Sequence, residues 1–204
     1  MKKKILIFIF SLFLFSCVNK VKNSKDISNR ELNEILNKSI VEYSQKKDKK
    51  ALETAYNSLN KNKDFREIGL VNGISNSTIG VLMGLGKYDE LEKLLNKNKI
   101  MDHYNKTNIL NTVRYLKFKD KDLPKAKLYI SESLKMIKDT IDKKPNDSLR
   151  YADYFSMRMF LVGKKGALKE VDSMKAVNKR YSDIFYDAIL KDVIESYPDE
   201  YLPK

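Results

Sequence analysis

The stretch VLMGLGKYDELEKLLNKN, Val81 to Asn98, decides how this chain folds. An apolar helix end runs into a Gly86-Lys87-Tyr88 turn, and a second amphipathic helix begins at once. Tyr88, Leu91, Leu94 and Leu95 recur three and four residues apart, the spacing of one helix face. The unit is a helical hairpin, and weaker copies flank it. Gly86 to Leu91 aligns with Gly163-Lys164-Lys165-Gly166-Ala167-Leu168, and Leu52 and Ala126 occupy the slot of Leu91. The steps between these anchors are 39, 35 and 42 residues. Periods in this range signal stacked hairpins, each burying its apolar face against the next.

The remaining helices follow from caps and stripes. Ser28 and Glu31 have capping-box spacing ahead of Leu32, Ile35, Leu36 and Tyr43. Ala51, Leu52, Ala55, Tyr56 and Leu59 form the next buried side. Asp64 and Glu67 repeat the capping spacing, and Leu70, Val71, Ile74, Thr78, Ile79 and Leu82 predict one helix running to Gly86. That segment holds Gly69, Gly73, Gly80 and Gly84, each costing about 1 kcal/mol relative to Ala in a helix. Such a strip suits close packing of a neighbouring helix, the close approach of a ligand, or a kink near Asn72 to Ser77.

Asp102 caps a third unit with Ile109, Leu110, Val113 and Leu116 inward. Pro124 fits the first turn of its second helix, where Ala126, Ile130, Leu134, Ile137 and Ile141 make a long stripe. A fourth unit starts at Asn146 to Ser148, carries Tyr151, Tyr154, Phe155 and Met159, and turns at Gly163 to Gly166. Ser182 and Asp183 open a last helix with Ile184, Phe185, Ala188, Ile189 and Val193, ending before Pro198. No strand-like alternation competes. The expected fold is all-α, a right-handed array of about four antiparallel hairpins over residues 30–197 with a C-terminal capping helix and a tail, 198–204.

This pattern resembles the tetratricopeptide repeat, through Gly86, Tyr88 and the small or apolar residue at Leu91 or Ala126. Periodicity alone also admits a generic hairpin array or an irregular bundle. The resemblance implies a groove lined by the first helix of each hairpin, accepting an extended peptide or a helix. Carried onto this chain, it selects Gly73, Asn76 and Gly80, then Asn108, Asn111 and Tyr115, then Arg150 and Asp153. An asparagine in such a groove can both donate to and accept from a peptide main chain.

The N-terminus speaks of export. Lys2, Lys3 and Lys4 precede an apolar run, Ile5 to Phe15, as in a secretory signal. Its 11 residues fall short of the about 20 that span a bilayer. Leu14-Phe15-Ser16-Cys17 resembles the lipobox of bacterial lipoproteins. That resemblance implies cleavage after residue 16, lipid on Cys17, and a tether over residues 17–29. No acidic residue follows Cys17 closely, so an outer-membrane position facing the periplasm is expected. Cys17 is the only cysteine, so no internal disulfide can form.

The formal charge is +13, and loss of Lys2, Lys3 and Lys4 leaves +10. Of the 40 basic residues 6 are Arg, which argues against nucleic acid, because phosphate and base recognition favours the guanidinium fork. His103 is the only histidine and lies beside Asp102, an adjacency that orients no base. Gly73-Ile74-Ser75-Asn76-Ser77 lacks the closing glycine of a nucleophile elbow. No enzymatic role, metal or cofactor is expected. The expected function is a lipid-anchored binding protein that captures a protein or peptide in the cell envelope. A small helical envelope enzyme working through Asp or Glu, and a protective lipoprotein that neutralises a toxin, are the alternatives.

Overall fold

The computed structural model describes residues 27–203 apart from Lys179. The signal, Cys17 and most of the tether therefore lie outside the described residues. Among these residues there is no strand, and the fold is all-α. The chain forms two compact units that divide after Lys106.

In the first unit, residues 27–106, α1 (Asn29–Lys46) starts as the capping spacing predicts, the Glu31 amide donating to Ser28 Oγ at 3.2 Å. Lys47 turns the chain in the left-handed region, with φ 57°. Its amide donates to the Tyr43 carbonyl. Asp48 then caps α2 (Lys49–Leu59), and the two helices pack together. Leu32, Leu36, Leu52, Ala55 and Leu59 meet in a core joined by Phe65, Val71, Ile74 and Val81.

The single helix expected from Asp64 to Gly86 is two. α3 (Lys63–Ile68) is capped by Asn62, not Asp64, and α4 (Ser75–Gly84) follows a loop. Asn62 wins because its side chain is buried and used at both ends. Its Oδ1 accepts from the Phe65 amide at 2.8 Å, while Nδ2 donates to the Ile27 carbonyl and Asn29 Oδ1. Asp64 accepts instead from Asn29 Nδ2. The break itself is made by Gly69 and Gly73, with φ of 86° and 89°, a region closed to most side chains. Asn98 braces the loop, its Nδ2 donating to the Leu70 carbonyl at 2.7 Å.

The other two glycines serve close packing. α4 lies against both α1 and α2, and a Cβ on Gly80 would stand 2.9 Å from Ile40 Cδ1. On Gly84 it would stand 2.6 Å from Leu52 Cδ1 and 3.6 Å from the Tyr43 ring. Gly84→Leu is therefore expected to destabilise by about 1–3 kcal/mol through overpacking, read as a lower urea midpoint at unchanged slope. After Gly86 (φ 70°), α5 (Tyr88–Lys97) buries Leu91 and Leu95 and packs on α4. α4, the Gly86 turn and α5 form the helical hairpin expected of Val81 to Asn98.

The second unit, residues 107–203, takes in most of α6 (His103–Phe118) and all of α7 (Leu123–Lys143) and α8 (Ser148–Val177). Asp122 caps α7 with Pro124 in its first turn, and Asp147 caps α8. α8 breaks at Gly163 (φ 69°, ψ 173°). Arg158 and Glu170 lie 12 residues apart yet form a two-pronged ion pair with contacts of 2.8 to 3.0 Å. A straight helix would hold them about 18 Å apart, so the chain doubles back at the expected turn. The carboxylate beside Arg158 raises the pKa of its guanidinium.

The last helix differs from its predicted stripe. It begins as a π-helical segment, Phe185–Leu190, and continues as α9 (Lys191–Ser196) before a 3₁₀ turn, Asp199–Tyr201. The wider π turn shifts the face. Phe185, Tyr186, Leu190, Val193 and Ile194 are buried, whereas Ile184 is 70% and Ile189 48% exposed, and Ala188 is exposed too. This segment closes on α8 through Lys175–Asp187 and Lys191–Asp172 ion pairs.

Candidate functional site

The residues selected for a groove divide between the units. Asn76 sits half-buried in the first turns of α4, while Asn108, Asn111, Tyr115, Arg150 and Asp153 belong to the second unit. Three of them are not groove surface. Asn108 is 7%, Asn111 2% and Tyr115 0% exposed, because α6 is packed nearly all round. Asn111 Nδ2 donates to Ser133 Oγ of α7 at 3.1 Å. Tyr115 meets Phe160 of α8 edge-on, ring centroids 4.9 Å apart. Asn108 Oδ1 and the Tyr115 hydroxyl find no hydrogen-bond partner among the described residues. Burial, reinforced by the Asp120 charge, pushes the Tyr115 phenol up to about 12.

Arg150 and Asp153 do remain within reach of solvent. They pair at 2.7 Å, and Arg150 also faces Asp147 at 3.5 Å. The head of α8 thus presents a cation held between two carboxylates, each three residues from it on either side.

Two arrangements were missed at the sequence level. In the first unit Asn33 and Asn37, one turn apart on α1, both direct their side-chain amides at Ser77 of α4, at 2.6 and 2.8 Å. Ser77 Oγ lies within donating distance of both Oδ1 atoms, and its single proton serves one of them at a time. Both asparagines are half-buried at this α1–α4 seam. Asn29, Asn33 and Asn37 recur every four residues, a visible stripe that apolar periodicity passes over.

The second is a cleft of about 170 Å³ between the C-terminal half of α7 and both limbs of α8. Ile141 and Met174 supply apolar surface, Tyr151 and Tyr154 two rings, and Lys138 and Asp142 opposite charges. Tyr181 fixes Tyr151 edge-on at 5.4 Å and itself donates to the Pro145 carbonyl. Neither tyrosine hydroxyl in the cleft bonds to a described residue, and Lys138 and Asp142 form no ion pair with one.

Among the described residues no group of three or more His, Cys, Asp or Glu is placed to hold a metal ion. No described helix is long and apolar enough to cross a membrane. No protein-family model matches the chain, and neither a curated protein nor a solved structure does.

Proposed function

We propose that the chain is a lipid-anchored binding protein of the cell envelope, held by lipid on Cys17, whose helical hairpins capture a protein or peptide partner. The observation that carries this reading is the packing of α4 across both α1 and α2. First helices of successive hairpins then lie side by side, as the tetratricopeptide resemblance implies, and their shared seam carries Asn33, Asn37 and Ser77. Half-exposed primary amides at this seam suit a peptide main chain, which offers a carbonyl and an amide at every residue. Arg150 and Asp153 form the second accessible contact; the buried Asn108, Asn111 and Tyr115 position α6 rather than touch a partner.

Affinity capture with crosslinking from the native envelope tests the reading. Changing Asn33 and Asn37 to Ala, and separately Arg150 and Asp153 to Ala, is expected to reduce recovery of the crosslinked partner by about tenfold, at roughly 1.4 kcal/mol per factor of ten. Undiminished recovery with both pairs changed would count against these surfaces. Anchoring is tested apart: Cys17→Ser should move the protein from the membrane to the soluble fraction, and persistence at the membrane refutes the lipid.

A further inference from the structure

We infer that the cleft between α7 and α8 is a site for a free α-amino acid with an aromatic or branched apolar side chain. The inference is independent of the groove and of the lipid. Its first ground is the lining. Apolar surface from Ile141 and Met174 and the rings of Tyr151 and Tyr154 offers a side chain burial and edge or face contact with aromatic rings. A methionine adapts to different shapes.

Its second ground is charge complementarity. Lys138 and Asp142 stand one turn apart on α7, about 6 Å along the axis. Both line the cleft, and neither is paired with a described residue. Two opposite charges held open beside an apolar patch match a ligand with both charges at one end and an apolar body at the other. An α-amino acid is such a zwitterion: its carboxylate accepts from Lys138 and its ammonium donates to Asp142. The uncommitted hydroxyls of Tyr151 and Tyr154 add acceptors for the same ammonium and donors for the same carboxylate. Tyr151 is already held in place by Tyr181, so the site loses little freedom on filling.

A neutral sugar ring would use the tyrosine rings but has no need of both charges. A lone cation would leave Lys138 opposing it. The zwitterion satisfies every group.

Titration calorimetry of the full-length protein decides the matter with four probes. L-Phenylalanine is expected to bind. L-Phenylalaninamide, which lacks the carboxylate, and N-acetyl-L-phenylalanine, which lacks the ammonium, should each bind several-fold more weakly. Methyl β-D-glucopyranoside should not bind. Lys138→Gln should weaken L-phenylalanine about threefold, the scale of a solvent-exposed ion pair, and leave the amide unchanged. Asp142→Asn should do the same for L-phenylalanine and leave the N-acetyl compound unchanged. Both substitutions are on exposed side chains, so folding is not at stake. Tyr154→Ala should cost about tenfold through the lost ring. The inference is overturned if L-phenylalanine does not bind with a Kd below about 10 mM. It is equally overturned if the two charge substitutions fail to discriminate among the probes, or if the glucoside binds and the amino acid does not.

Discussion

Phe160→Ala should lower the stability of the second unit by about 3–5 kcal/mol, the cost of emptying a large aromatic site in a packed interior. Phe160 is fully buried. It receives Tyr115 edge-on from α6 at 4.9 Å and Tyr197 from beyond α9 at 5.2 Å. One ring therefore ties the helix before the hairpin to the segment that closes on α8. Edge-to-face pairs add about 0.5–1.5 kcal/mol each beyond area burial, and both are lost together. Against a total of about 5–15 kcal/mol for a typical domain, such a loss brings the unit close to unfolding. Phe160→Leu, which refills part of the space, should cost less than half as much. The chain has 12 Tyr and no Trp, so urea unfolding followed by tyrosine fluorescence reports it directly. A shift of less than about 1 kcal/mol would show that the three rings do not form a common core.

The apolar pattern does not mark Phe160. The stripe Tyr151, Phe155, Met159 runs at a spacing of four and leaves Phe160 one place beyond it, beside the turn. Met159 and Phe160 are both fully buried, a burial wider than one stripe, beside the turn that Gly163 makes at φ 69°. The same limit explains the last helix. A π turn inserted at Phe185–Leu190 moves burial from Ile184 and Ile189 to Tyr186 and Leu190, and nothing in the apolar pattern marks it. Where local chemistry alone decides, as with Ser28, Asp102, Pro124 and the Gly86 turn, boundary and element agree with the reading.

The candidate site was less legible because polarity does not reveal burial. Asn108, Asn111 and Tyr115 look like surface residues by composition, yet all three are buried, Asn111 and Tyr115 against neighbours more than twenty residues away. Conversely, Asn33, Asn37 and Ser77 converge only when α4 crosses α1, 44 and 40 residues later. The cleft needs α7 to meet both limbs of α8. Hairpin pairing places these groups, and pairing lies beyond any single window of sequence.

Raising the pH above 10 should destabilise the second unit steeply, and Tyr115→Phe should protect it. Burial raises the Tyr115 phenol from its usual value near 10 to about 12; Tyr197, also enclosed, moves up for the same reason. In the unfolded chain both ionise near pH 10. Between pH 10 and 12 the folded state therefore binds more protons than the unfolded state, and stability falls as pH rises. The contribution is fully present below pH 10. For Tyr115 alone, a shift of about two pH units corresponds to a loss of about 2–3 kcal/mol by pH 12. Lysine ion pairs such as Lys175–Asp187 weaken over the same range, so the comparison with Tyr115→Phe carries the test. At pH 7 the variant should match or slightly exceed the parent, because the hydroxyl it removes has no hydrogen-bond partner among the described residues. Urea midpoints by far-ultraviolet circular dichroism should then diverge with pH, the variant retaining about 2 kcal/mol more than the parent at pH 12. Parallel losses in the two proteins would mean that Tyr115 ionises as freely in the folded chain as in water.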